Sequence, residues 1–203
     1  MNQKEQEKLN EQLIEGTKSG DLLLVKSFFL KKIDFKIQND LLVIAAENGH
    51  LEIVKYLVDN QVNIDEKGNL ALNFSSANGH LEVVKYLVLK GADIHADNAF
   101  SLRLASEKGH LEIVKYLVKQ GANIYSQEDE ILRNASENGD SEMMKYLLFD
   151  CKMKVKQETK NWIMKKNYQE VLDMIEKRNL LMKLDKNLLI KDAIDNLSKK
   201  VKL

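Results

Sequence analysis

His50, His80 and His110 stand 30 residues apart, and each is followed by Leu-Glu. Imidazoles in register are what a metal centre or a set of general bases would need. Zinc, however, takes ligands about 2 Å from a single ion. Residues that recur once per structural unit are spread one unit apart, about 10 Å for packed helices. These three cannot share an ion, and they are read as polar residues opening a helix. His95 has no histidine or cysteine partner close by in sequence. Cys151, the only cysteine, is near Lys152 and Lys154, a setting that depresses a thiol pKa. It lacks a neighbouring histidine and a nucleophile-elbow sequence, so it reads as a small apolar residue. Phosphate-cradling glycine loops of the Walker or dinucleotide type are absent. Glu52, Glu82, Glu112 and Glu142 each precede a lysine by three residues, which predicts local helical ion pairs. No catalytic residue, metal site or cofactor is expected.

The elements that hold these residues follow from an internal repeat. Asn-Gly-His-Leu-Glu begins at Asn48 and Asn78, returns as Lys-Gly-His-Leu-Glu at Lys108, and decays to Asn-Gly-Asp-Ser-Glu at Asn138. Gly49, Gly79, Gly109 and Gly139 therefore mark one bend per unit, and Gly20 marks an earlier, divergent one. After each bend the apolar pattern is helical. Leu51, Val54, Leu57 and Val58 form one stripe, repeated from Leu81 and Leu111. Before each bend a shorter helix carries Leu42 and Ala45, Leu72 and Ser75, Leu102 and Ala105, or Leu132 and Ala135. The small residue lets neighbouring helices approach closely. Loops such as Gly91-Ala92-Asp93-Ile94 supply turn formers and an isoleucine for the next unit. One such unit is too small to fold alone, so stacking must create the core.

Gly49–Val58 and Gly109–Val118, both reading Gly-His-Leu-Glu-Ile-Val-Lys-Tyr-Leu-Val, resemble the second helix of the ankyrin repeat. Gly91–Ile94 and Gly121–Ile124 resemble its hairpin entry. The resemblance implies an all-α, ankyrin-type helix–turn–helix solenoid. Two departures stand out. The period is 30 rather than the family's usual 33, which predicts short hairpin loops. The usual Thr-Pro-Leu-His opening is replaced by Leu70-Ala71-Leu72-Asn73 or Phe100-Ser101-Leu102-Arg103. This short form is similar to the ankyrin proteins of giant DNA viruses of amoebae.

The expected organisation is an N-terminal capping repeat over 1–35, four repeats over 36–150, and a degenerate sixth repeat with a closing helix over 151–203. The first repeat is assigned helices Leu9–Lys18 and Leu22–Leu30. In the last segment, Lys160–Lys166 and Tyr168–Lys177 are expected as two short helices, and Lys186–Lys200 as a separate closing one. Proline is absent, and the whole chain balances 31 basic against 31 acidic residues. Residues 151–203 alone hold 14 Lys/Arg and 7 Asp/Glu, so a basic end follows an acidic stack. The polar start, the lone cysteine and the lack of a long apolar run predict a cytoplasmic protein with no membrane span.

In ankyrin-like stacks the partner meets loop tips and the exposed side of the first helices. Position by position, this selects Lys67, Asn69, Asp97, Asn98, Gln127 and Asp129 on loops. On first helices and near the bends it selects Asn73, Arg103, Arg133, Glu107, Lys108 and Glu137. The implied function is a monomeric protein–protein interaction scaffold, viral and binding a host protein in the host cytoplasm. An adaptor for host ubiquitination machinery is the alternative, although the Leu-Pro core of the usual recruiting box is missing. Nucleic-acid binding through the basic end is a further alternative, but no aromatic stacking platform accompanies the lysines.

Overall fold

The computed structural model describes residues 3–29, 35–60, 62, 64 and 66–201. Leu30, the expected end of the second helix, lies outside them. The chain forms two compact bodies, residues 1–127 and 128–203.

The first body contains four helical hairpins. They are α1 (Gln3–Lys18) with α2 (Leu22–Phe29), α3 (Phe35–Glu47) with α4 (Leu51–Asp59), α5 (Glu66–Ala77) with α6 (Leu81–Leu89), and α7 (Ala96–Glu107) with α8 (Leu111–Lys119). Among the described residues there is no strand, so the units meet only through helices and loops. The α5 helix lies between α3 and α7, and α6 lies between α4 and α8.

The bend between paired helices has one design. Gly49 adopts φ +76°, and its N–H donates to Ala46 O while the His50 N–H donates to Ala45 O at 2.9 Å. This reciprocal pair of bonds closes the helix on a left-handed residue, a conformation that costs glycine nothing. The same pattern recurs at Gly109, and the Gly79 bend repeats the positive φ, +81°, and the second bond, from the His80 N–H to Ser75 O at 2.9 Å.

The second helices bury Ile53, Val54 and Leu57, then Val83, Val84 and Leu87, then Ile113, Val114 and Leu117. The stripe is thus rotated from the expected Leu51–Val54–Leu57–Val58, and Leu51 and Val58 are half-buried. Each second helix is flanked by its own first helix and by neighbouring second helices, so the buried sector must include adjacent positions. First helices behave likewise, burying Leu41 with Leu42 and Ala45 with Ala46. The small residues admit the next helix, as their size predicts. Ile94 and Ala92 are buried after the loop.

Asp97, Asn98 and Ala99 at the start of α7 all have positive φ, 50–59°. This left-handed turn opens the helix where a longer finger would otherwise run. It is conformationally costly for residues bearing a Cβ.

The second body holds α9 (Glu128–Glu137) and α10 (Ser141–Lys145), which continues as a π-helical turn, Tyr146–Asp150. It also holds α11 (Gln157–Lys165) and α12 (Gln169–Val201). The separate closing helix does not form. No glycine or proline interrupts residues 167–203, and α12 runs unbroken for 33 residues. Arg178 anchors it. Its buried guanidinium donates through Nε to Leu148 O at 3.0 Å and through Nη2 to Lys152 O at 2.8 Å. No helix among the described residues is long and apolar enough to cross a membrane.

Candidate functional site

Three first helices, α3, α5 and α7, lie side by side, so equivalent positions line up across them. One row is Ile44, Phe74 and Leu104, and the next, one turn earlier, is Asp40, Leu70 and Phe100. Phe74 is 41% exposed and Leu70 38%, while Ile44, Leu104 and Phe100 are half-buried. The Arg103 guanidinium lies 4.4 Å from the centre of the Phe100 ring, a cation–π contact. Glu107 and Lys108 are exposed at the edge and pair at 3.1 Å. The result is an apolar centre with a charged margin, the anatomy of a protein-binding patch.

Sequence reasoning missed that centre, because it looked to polar and charged residues at the loop tips, on the first helices and near the bends. A usable signal was present. Phe74 shares its repeat position with Ile44 and Leu104, all apolar, at a place the core does not need. Asn73, expected on the exposed side, is instead only 5% exposed. It follows the buried Leu72 by one residue, about 100° round the helix, and α5 has a first helix on each side, so its buried sector is wide enough to include Asn73. Asn69 is half-buried, and its Oδ1 accepts the Asp93 N–H at 2.8 Å, tying α5 to the following loop. Asp97 and Asn98 are exposed on the left-handed turn. The side chains of Lys67, Gln127 and Asp129 lie outside the described ones. Arg133 and Glu137 are exposed on α9 of the second body.

The histidines open their helices as expected, and they also do something the spacing did not disclose. His50 Nε2 lies 2.7 Å from Lys18 O, His80 Nε2 2.9 Å from Glu47 O, and His110 Nε2 2.9 Å from Ala77 O. A carbonyl only accepts, so each Nε2 carries the proton and donates it to the preceding unit. The ring then lies over that unit's glycine. A Cβ on Gly20, Gly49 or Gly79 would come within 2.5–2.8 Å of it. The glycines are thus demanded twice, by φ and by the neighbouring imidazole.

The series lapses in the second body. Asp140 spends its carboxylate on its own helix, accepting the Met143 N–H at 2.9 Å. Tyr168 stands at the next histidine position and turns its ring to Trp162, with centroids 5.9 Å apart. A gap of about 130 Å³, bordered by Gly139, Tyr168 and Glu170, is left there.

The predicted Glu–Lys pairs form at 2.6–2.8 Å in all four repeats. They are solvent-exposed, so water screens them and they act only as local helical pairs. Between α4 and α6, Asp59 accepts from both Tyr86 Oη and Lys90 Nζ at 3.4 Å. Burial chiefly raises the Tyr86 pKa, and the bond to Asp59 raises that of Lys90. Cys151 is half-buried, in keeping with its reading as a small apolar residue, despite the lysines near it in sequence. Burial pushes the thiol up and outweighs its hydrogen bond with Tyr146. Among the described residues, no group of three or more His, Cys, Asp or Glu side chains could hold a metal ion.

Two family descriptions match the chain. Ankyrin repeats (3 copies) covers residues 13–98, and Ankyrin repeats (many copies) covers residues 102–148. No curated protein matches.

Proposed function

Since the chain belongs to the ankyrin-repeat family, we propose that it is a protein-binding scaffold whose partner seats on the Phe74 face of α3, α5 and α7. The observation that carries this reading is the pair of exposed apolar residues, Leu70 and Phe74, at the centre of a face margined by Arg103, Glu107 and Lys108. Interface energy concentrates in such central aromatic and arginine residues, while a charged rim tunes encounter and specificity. The stacked helices hold the face rigid, so little conformational entropy is lost on binding. The short 30-residue form resembles those of large DNA viruses, which supports a host-cell protein as the partner and the host cytoplasm as the place of action.

Affinity capture with the full chain tests the face. Phe74→Ala and Arg103→Glu should each weaken a captured partner by tenfold or more, about 1.4 kcal/mol or above, with helicity unchanged. Partners retained at undiminished affinity by both variants would remove the face from the function.

A further inference from the structure

Beyond its anchor at Arg178, α12 leaves the repeat and nothing among the described residues covers it. Seven large apolar residues between Leu180 and Ile190 are 44–70% exposed. Leu181, Met182 and Leu189 fall on one side of the helix, an exposed apolar surface of the kind that marks an interaction site. Beside the helix runs a groove of about 340 Å³, floored by Leu148, Phe149, Leu181, Met182 and Leu189. Its charged border is Lys152, Arg178 and Lys186 against the carboxylate of Asp185. Arg178 is committed to the carbonyls of Leu148 and Lys152, and so fixes the floor to the wall. Lys177, Lys183 and Lys191 add exposed positive charge along the same helix.

We infer that this groove is a second docking site, separate from the Phe74 face, and that it takes an acidic amphipathic helix of a partner protein. Its apolar floor suits the i, i+3, i+4 and i+7 anchors that one face of a short amphipathic helix presents. Acidic residues on that helix would meet Lys152 and Lys186. The lining is aliphatic apart from Phe149, which gives bases no platform to stack on. A second copy of the chain would bring the same lysines against each other, and like charges oppose pairing.

The test uses the full chain and two fluorescein-labelled peptides of about 16 residues. Both carry leucine at i, i+3, i+4 and i+7, the anchor spacing of a groove-bound helix, with glutamate elsewhere in one and lysine elsewhere in the other. Fluorescence anisotropy should show binding of the glutamate peptide only, weakening as salt is raised. Leu189→Glu, at a residue 70% exposed, and the pair Lys152→Glu/Lys186→Glu should each reduce affinity about tenfold or more. Phe74→Ala should leave it unchanged, which separates this site from the proposed scaffold face. Equal binding of the lysine peptide, or no effect of Leu189→Glu, would overturn the proposal. So would a light-scattering mass near twice 23.3 kDa that Leu189→Glu returns to the monomer value, because the occupant would then be a second copy. Binding to anionic phosphatidylserine vesicles without peptide binding would overturn it equally.

Discussion

The contact between His80 and Gly49 offers the sharpest test of how the repeats are joined. His80→Ala removes the Nε2–H bond to Glu47 O and the ring's cover over the bend. A bond to a backbone carbonyl at a half-exposed site, with some packing lost, is worth about 1 kcal/mol. Gly49→Ala meets two obstacles. Its φ of +76° disfavours any Cβ by about 1–2 kcal/mol. The new methyl would also stand 2.5 Å from the His80 Nδ1, so the ring must leave and the same hydrogen bond is lost. The single variant should therefore destabilise by about 2–3 kcal/mol. In the double variant the ring is already gone, so only the backbone term remains to be added. Gly49→Ala/His80→Ala should cost no more than Gly49→Ala alone, a coupling of about 1 kcal/mol in a double-mutant cycle. Gly139→Ala is the internal control. It shares positive φ, +63°, but has open space where the methyl would go, and should cost only the backbone term. Urea unfolding followed by ellipticity at 222 nm measures all four variants. Additivity within about 0.3–0.5 kcal/mol, or equal effects at Gly49 and Gly139, would refute the interlock.

Other outcomes follow from single observations. Arg178→Met keeps the side-chain stem but strands the carbonyls of Leu148 and Lys152, so it should destabilise by about 2 kcal/mol. Hydrogen exchange should then rise first along α12. Asp97→Gly relieves one of three consecutive left-handed residues on an exposed turn and should raise the thermal midpoint, corresponding to about 0.5–1 kcal/mol. A lowered midpoint would mean that the Asp97 side chain contributes more than its backbone strain removes. Because burial raises the Cys151 pKa, the thiolate fraction at pH 8 falls below that of a free cysteine. Iodoacetamide should accordingly react slowly with the folded chain and several-fold faster in urea, whereas equal rates would sink that account.

The helical-hairpin architecture was legible in the sequence because its determinants are local and periodic. Gly49 and its counterparts specify a left-handed bend through their own φ. The Glu52–Lys55 type of pair needs only helical spacing, and Ala45 or Ser75 announces close packing by size. What the tertiary structure alone decided depends on neighbours that spacing does not name. The carbonyl met by His80 belongs to Glu47, 33 residues earlier, and only the stacking offset of adjacent units selects it. Asn73 is buried because α5 has a helix on each side, while the same crowding leaves Phe74 facing outward. Local sequence beside Cys151 pointed to lysines, yet burial sets its pKa. A periodic chain states what each unit is. Only packing states which faces remain uncovered, and those are the faces left for partners.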